Sequence, residues 1–244
     1  RDGGRPSRDF GIPPMRNSMM SDFVFSLCQP WIGIVGSKSR FPVRRVWCVG
    51  RNYLAHVREL GNDERESPLF FSKQPDMLVP GGGAIRYPSL TKNYHFEVEL
   101  VVALKAGGEN VAVADADALI FGHAVGLDMT RRDIQKQMQE KGRPWEAAKS
   151  FEQSGPIGPL TPFPGLLPPS RIRLSVNDEI KQDADTAQMI WSVPEIISQL
   201  SRQVSLGAGD IIFTGTPEGV GPVVRGDRLL AEIDGLEPLA ITIA

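Results

Sequence analysis

The sequence predicts a strand-dominated α+β fold, and three observations support this. Most of the patterned segments are short runs of β-branched and aromatic residues. Two pairs of such runs flank the turn dipeptides Asn177-Asp178 and Asp234-Gly235, which predicts two hairpins. Long helices do not alternate with the strands, and no repeat occurs at solenoid spacing. These features favour neither a Rossmann sheet nor a repeat protein.

The chain of 244 residues is long enough to bury one sizeable core. Residues 1–20 are rich in Gly, Pro and Arg and lack periodic apolar residues, so we expect a disordered extension or residues added for expression. Residues 21–45 are expected to form a small N-terminal strand segment. Residues 46–244 are expected to form the main domain.

Charge and cysteine content narrow the possible partners. The formal net charge is -2 and the sequence pI is about 6.0, so nucleic acid and anionic membranes are not favoured and a small-molecule ligand is expected. The two cysteines, Cys28 and Cys48, form no CxxC motif, which indicates reduced thiols. No apolar run resembles a membrane span or signal peptide. We therefore expect a soluble, cytoplasmic protein.

The first half of the chain is predicted to hold one helix between strands. Residues 22–27, 31–35 and 41–50 are β-branched and aromatic runs that predict strands. Residues 51–61 have apolar side chains at helical spacing and end at a glycine, which predicts a short helix. Residues 97–104, with the sequence EVELVVAL, predict the next strand.

Capping patterns predict where later helices begin. Asp115 is expected to cap a short helix. Thr130 and Asp133 have the spacing of a capping box ahead of the helical sequence RRDIQKQMQEKG. Ser192 and Glu195 repeat that spacing, which predicts another helix start.

Three carboxylates are candidates for a metal site. Glu97 and Glu99 share one face of their predicted strand because side chains alternate, and Asp128 follows the next strand. Hard oxygen donors without thiolates or paired histidines suit Mg²⁺ or Mn²⁺ better than Zn²⁺. The alternative is that Glu97 and Glu99 form the solvated face of an amphipathic strand.

Three other side chains have candidate catalytic roles. His56 and Glu59 lie three residues apart on the predicted helix, where the carboxylate could orient the imidazole as a base for water. An ordinary surface pair is the alternative. Lys149 lies among prolines, glycines and small residues, where it could stabilise an enolate or simply be exposed.

The loop TGTPEGVG, residues 214–221, follows a predicted buried strand. Its backbone N–H groups and the Thr216 hydroxyl could bind a carboxylate, or the loop could be a plain turn. No lysine follows the glycines at Walker spacing, so it is not a phosphate loop.

Six segments together resemble, in order, the signature segments of the fumarylacetoacetate hydrolase family. They are GRNYLAHVRELGN, FFSK, NYHFEVELVVAL, GLDMTRRDIQ, AKSFEQSGPIGP and TGTPEGVG. The resemblance extends from about Val46 to the C-terminus. It implies that family's mixed β-roll with a few short helices, and it also implies a homodimer.

The resemblance implies a role for each matching position. Glu97, Glu99 and Asp128 are implied to be ligands of Mg²⁺ or Mn²⁺. His56 and Glu59 are implied to activate water, with Lys149 beside the reacting carbonyl. The residues implied to hold substrate carboxylates are Arg51, Tyr53, Arg132, Gln135 and Thr216.

The implied reaction is metal-dependent hydrolysis of a carbon-carbon bond in an acylpyruvate. Tyr94-His95 before the carboxylates and Gly-Arg-Pro-Trp after the helix look closest to family members that convert fumarylpyruvate to fumarate and pyruvate in aromatic-acid breakdown. Gln74, Asp178 and Trp191 depart from the common pattern. Oxaloacetate decarboxylation, isomerisation of a dienoic dicarboxylate and a non-catalytic binding module remain alternatives.

Overall fold

The computed structural model describes residues 24–53 and 67–244. Short strands account for most of its regular structure. In chain order they are β1 (Trp31–Gly33), β2 (Arg40–Pro42), β3 (Arg45–Gly50), β4 (Leu69–Lys73), β5 (Leu78–Pro80), β6 (Gly83–Ile85), β7 (Tyr94–Phe96), β8 (Val98–Leu104), β9 (Ile120–Leu127), β10 (Thr130–Arg131), β11 (Gly155–Ile157), β12 (Thr161–Pro162), β13 (Arg171–Val176), β14 (Glu179–Asp185), β15 (Asp210–Phe213), β16 (Gly221–Pro222), β17 (Arg228–Ile233) and β18 (Leu239–Ile243).

Helices are few and short, which confirms the predicted strand-dominated α+β class. Among the described residues, the α-helices are α1 (Arg132–Glu140), α2 (Glu146–Lys149) and α3 (Val193–Gln203), and the 3₁₀ turns are Pro75–Met77, Val113–Leu119 and Thr186–Gln188. Within the described part of the chain, no helix is both long and apolar enough to cross a membrane.

The strands of the described residues form four sheets, of which the two largest are mixed. The largest has the order β4-β3-β15-β8-β9-β11-β5, with β12 added beside β9. A second sheet has the order β14-β13-β17-β18-β6, a third β10-β7-β16, and β1 pairs with β2. Most neighbours are antiparallel, whereas the pairs β3–β15, β5–β11 and β6–β18 are parallel.

Strand β8 lies at the centre of the core, and every residue in it is buried. Its even-numbered side chains, such as Leu100 and Val102, join a hydrophobic cluster shared with the second sheet and α3. Its odd-numbered side chains Val101 and Ala103 join a separate cluster that includes Phe213. Because side chains alternate along a strand, the large sheet is covered on both faces here.

The two predicted hairpins are confirmed. Strand β13 pairs with β14, and β17 pairs with β18, both antiparallel. Asn177 and Asp178 both adopt positive φ, at 50° and 68°, as the tight turn between β13 and β14 requires. The predicted capping box at Ser192 is also present, with the Glu195 carboxylate accepting from the Ser192 backbone N–H at 2.9 Å.

Three local predictions were wrong: the first strand, the cap at Asp115 and the capping box at the start of α1. Residues 24–27 of the first predicted strand are not in a sheet, and Val24, Phe25 and Leu27 are exposed. Asp115 lies in the first turn of its 3₁₀ segment, and the cap position belongs to Ala112. The helix predicted at residues 51–61 stays a prediction, because residues 54–61 lie outside the described part of the chain, as do all of residues 1–20.

The capping box predicted at the start of α1 does not form, because Arg131 occupies the cap position without a side-chain cap. The Asp133 carboxylate instead accepts from the Thr91 hydroxyl at 2.5 Å and from the Lys92 backbone N–H at 3.0 Å. The Thr130 hydroxyl donates to the Asp128 carbonyl at 3.0 Å. Asp133 therefore connects α1 to the segment before β7, whereas the Thr130 hydroxyl bonds within its own short segment.

Candidate metal centre and active site

Strand pairing brings three carboxylates together. Glu97 and Glu99 flank the first residue of β8 and point to the same face, and Asp128 follows β9, which pairs with β8. The Asp128 backbone N–H donates to the Glu97 carbonyl at 2.9 Å. One oxygen from each carboxylate lies within 4.8 Å of the others, and all three side chains are buried. The alternative of a solvated strand face is therefore wrong.

Two lysines and an arginine neutralise these carboxylates. Lys149 is buried at the end of α2, and its Nζ donates to Glu97 Oε2, Asp128 Oδ2 and Thr130 Oγ1, each at 2.7 Å. The Arg132 guanidinium donates to Glu97 Oε1. Lys149 is thus not the exposed lysine that was the alternative.

Lys73 is the third cation and was not predicted. It ends β4 with a fully buried side chain, and its Nζ lies 2.8 Å from Asp128 Oδ1. The same ammonium donates to the backbone carbonyl of Lys149. Lys73 therefore contacts both the Asp128 carboxylate and the backbone of Lys149.

The pKa values of Glu99 and Lys149 are shifted, because these groups are buried and lie close to other charges. Burial raises the pKa of Glu99 well above its usual range, and the nearby charges of Asp128 and Glu97 raise it further. Burial acts to lower the pKa of Lys149, but the carboxylates of Asp128 and Glu97 outweigh it, so that pKa is raised. The site therefore favours added positive charge beside Glu99 and a protonated Lys149.

The glycine-rich loop supports Glu99 directly. The Gly215 N–H donates to Glu99 Oε2 at 2.8 Å. Gly215 has a φ of 99°, and a Cβ there would lie 2.7 Å from the Cβ of Asn52. Gln182 donates to the Thr216 hydroxyl at 2.9 Å and fixes the next residue. Gly215 thus holds one of the three carboxylates with its backbone.

A cavity of about 290 Å³ opens above the carboxylates. Its volume suits a small metabolite. Acidic groups line it together with cations, amides and two aromatic rings. The lining residues are Val49, Gly50, Arg51, Phe71, Glu97, Glu99, Asp128, Arg132, Gln135, Lys136, Gln139, Trp145, Lys149 and Thr216.

Most of the predicted substrate-binding residues reach this cavity. Arg51, Arg132, Gln135 and Thr216 line it. Tyr53 does not line it. Its side chain is buried, burial and then the nearby charge of Glu99 raise the pKa of its phenol, and the hydroxyl has no hydrogen-bond partner within the described part of the chain.

The predicted dyad of His56 and Glu59 lies outside the described residues.

Sequence reasoning missed several lining residues. Trp145 belongs to the Gly-Arg-Pro-Trp segment, and Lys136 and Gln139 continue the α1 face that begins at Arg132. The signal for that face was present in the helical spacing of positions 132, 135, 136 and 139.

The donor set fits a hard divalent cation. All three groups are carboxylates within mutual reach, which is the chemistry that Mg²⁺ and Mn²⁺ prefer. Asp128 Oδ1 has an ammonium at 2.8 Å but no well-aligned hydrogen bond. Residues Glu97, Glu99 and Asp128 would hold the ion.

Comparisons with known proteins find a matching family and several relatives. Residues 45–244 match the family described as "Fumarylacetoacetate (FAA) hydrolase C-terminal". The chain is 42% identical to fumarylpyruvate hydrolase of Ralstonia sp over 179 residues, covering 73% of this chain and 93% of the relative. It is 41% identical to the mitochondrial oxaloacetate tautomerase FAHD1 of Mus musculus over 204 residues, covering 80% of this chain and 92% of the relative.

A solved structure is also similar. The fumarylpyruvate hydrolase from Pseudomonas aeruginosa, in complex with Mn²⁺ and pyruvate, has a TM-score of 0.89 and is 50% identical. The match covers 91% of this chain and 99% of that one.

Proposed function

The chain belongs to the fumarylacetoacetate hydrolase family, and from that premise we propose that it hydrolyses acylpyruvates with the help of a divalent metal. The proposed preferred reaction converts fumarylpyruvate and water to fumarate and pyruvate. The observation that carries the proposal is the buried set of Glu97, Glu99 and Asp128, with Lys149 beside them, at one end of a metabolite-sized cavity. The similarity to a structure that contains Mn²⁺ and pyruvate supports the same reaction.

The chemistry requires stabilisation of negative charge at the pyruvate end of the substrate. A Mg²⁺ or Mn²⁺ ion held by the three carboxylates would supply Lewis-acid polarisation of the 2-oxo acid. Lys149 is a protonated, buried ammonium in the same cluster, so it stabilises the enolate that forms when the carbon-carbon bond breaks. Arg132 and Gln135 line the cavity beside this cluster and orient the substrate carboxylate.

Water activation is assigned to His56, oriented by Glu59, on the strength of the family resemblance. In this step His56 takes a proton from water, and the hydroxide adds to the acyl carbonyl. The carbon-carbon bond then breaks, which releases the carboxylic acid and the pyruvate enolate, and the enolate is protonated to pyruvate. In this proposal Arg51 and Thr216 contact the substrate from the cavity wall. Tyr53 is not among the residues that line the cavity, so its proposed role in substrate binding is indirect.

Oxaloacetate tautomerisation is a second candidate, because the chain is 41% identical to an oxaloacetate tautomerase. That reaction needs an enolate and proton transfer but no hydroxide, so it would use the carboxylate cluster and Lys149 without water addition. Decarboxylation of oxaloacetate has the same requirement. We further propose a homodimer that acts in the cytoplasm, on the basis of the family resemblance.

The test follows the ultraviolet absorbance of fumarylpyruvate with Mg²⁺ or Mn²⁺, and of the enol of oxaloacetate, with pyruvate assayed in parallel. Wild type is compared with His56→Ala and Lys149→Met. We expect metal-dependent loss of fumarylpyruvate that falls at least about 100-fold in either variant, as for removal of an acid-base or electrostatic group. Enol loss that persists in His56→Ala without acylpyruvate turnover would instead favour the tautomerase.

A further inference from the structure

The cavity has two chemically different ends. Glu97, Glu99, Asp128 and Lys149 form a buried floor. The opposite end is open to solvent and is bordered by other residues, which the proposed reaction does not yet use. Lys136 and Gln139, both exposed, border this end. Phe71 and Trp145 line the cavity from the floor outward, since the Phe71 ring centroid lies 5.2 Å from Lys149 Nζ and 6.0 Å from the Trp145 ring centroid. A substrate that extends beyond its pyruvate moiety must place its acyl group against these four residues.

Helix α1 connects the two ends. Arg132 contacts Glu97 at the floor, Gln135 is buried one turn later, and Lys136 and Gln139 are exposed. At 1.5 Å per residue, Lys136 lies roughly 6 Å along the axis from Arg132. Helical side chains lean toward the N-terminus, so the Lys136 side chain leans back toward the Arg132 turn and over the cavity.

Two aromatic rings, inclined to each other by 58°, form part of the cavity wall. The ring centroids of Phe71 and Trp145 are 6.0 Å apart, and the Arg51 guanidinium lies 5.9 Å from the Trp145 ring centroid. Trp145 approaches Gly50 closely, because a Cβ at Gly50 would lie 3.5 Å from its ring. A planar, unsaturated acyl chain would pack against these rings, and its end would reach the solvent-exposed mouth.

Lys136 is available to meet a negative charge there. Its nearest acidic partner within the described ranges is Glu140, one turn on, at 4.0 Å, and both side chains are largely exposed. Such a surface pair is weak and exchanges readily with solvent. A ligand carboxylate at the cavity mouth can therefore replace Glu140 without breaking a buried contact.

We propose that Lys136 is a specificity-determining residue that binds the carboxylate at the acyl end of the substrate. The enzyme then prefers acylpyruvates whose acyl group is a planar chain ending in a carboxylate over acetylpyruvate, whose acyl group is short and uncharged. This inference rests on the proposed acylpyruvate hydrolase function. Because oxaloacetate is too short to extend from the floor to the mouth, its turnover does not depend on Lys136.

The experiment measures kcat/KM for fumarylpyruvate and for acetylpyruvate in wild type, Lys136→Ala, Lys136→Glu and Lys136→Arg. Lys141→Ala is the matched control, since it removes an equal charge at the end of the same helix but does not line the cavity. We expect Lys136→Ala to lower the fumarylpyruvate-to-acetylpyruvate ratio roughly fivefold, the upper range for an exposed ion pair. Lys136→Glu should lower the ratio further, and Lys136→Arg, which keeps the positive charge, should have a ratio near that of wild type.

Product inhibition and salt give independent readouts. Inhibition by fumarate should weaken in Lys136→Ala, whereas inhibition by pyruvate, which occupies the floor, should not change. The fumarylpyruvate preference should also shrink as ionic strength rises, because the contact is exposed.

An unchanged ratio, or a parallel loss on both substrates, would overturn the role of Lys136 while leaving the hydrolase assignment intact. Failure of wild type on both substrates would overturn the proposed function and this inference with it.

Discussion

Replacing Lys73 by Met should destabilise the protein strongly, although the two side chains have similar lengths. The Lys73 and Asp128 side chains are 0% and 1% exposed, and the ammonium lies 2.8 Å from Oδ1. Removing one partner of a buried ion pair leaves an uncompensated charge and typically costs about 3–5 kcal/mol. Lys149 still contacts Asp128 Oδ2, so we expect the lower end, about 3 kcal/mol.

The measurement is urea denaturation followed by tryptophan fluorescence in metal-free buffer. Lys181→Met is the control, because Lys181 makes a surface pair with Glu179 at 2.7 Å, and its loss should cost no more than about 1 kcal/mol. A double mutant of Lys73→Met with Asp128→Asn should recover about 2 kcal/mol relative to the sum of the single changes. Losses below about 1 kcal/mol in Lys73→Met, or strict additivity in the cycle, would refute the assignment of a stabilising buried pair.

Three further predictions concern the metal, pH and backbone. In thermal denaturation, Mn²⁺ at about 100 times its Kd should stabilise wild type by about 2.7 kcal/mol. It should have little effect on Glu99→Gln, and equal stabilisation of both proteins would exclude the Glu99 carboxylate as a ligand. Burial lowers the pKa of His123 from 6.5 to about 4, so the unfolded chain binds a proton that the folded chain excludes, and stability falls as pH drops below 6.5. This effect amounts to about 2 kcal/mol between pH 7 and pH 5, and denaturation curves of His123→Phe should lose that part of the slope. Gly215→Ala should lower stability, because the new Cβ would clash with Asn52. It should also lower the metal affinity measured by calorimetry, because the Gly215 N–H supports Glu99, and a wild-type affinity would contradict that supporting role.

The strand pattern and the choice of carboxylates could be predicted because both depend on local sequence. A period of two places Glu97 and Glu99 on one face, and turn dipeptides mark the hairpins. Their burial could not be deduced in the same way, since it results from the sheet that forms around β8. The family resemblance of six ordered segments favoured the metal site over a solvated face.

The wrong or missed predictions have one physical cause: each depends on contacts between residues that are far apart in the sequence. Lys73 reads as a polar residue at a strand end, and its burial is evident only once Asp128 and Lys149 are brought beside it. Asp133 has the spacing of a capping residue, but Thr91 and Lys92 provide competing donors from a distant segment. Residues 24–27 have strand-forming side chains, but they pair with no strand among residues 24–53 and 67–244. Propensity alone does not determine structure in such cases.

The alternation along β8 also links folding to chemistry. Glu97 and Glu99 lie on the same face as Val101 and Ala103, and the intervening side chains pack into the other hydrophobic cluster. A shift of one residue in the register of β8 against β9 would turn both carboxylates into that hydrophobic cluster, although the two strands could still pair. An insertion or deletion near the start of β8 would therefore remove activity and core packing in a single event. Natural variation in this segment should be confined to substitutions, and selection for catalysis would by itself preserve the strand register.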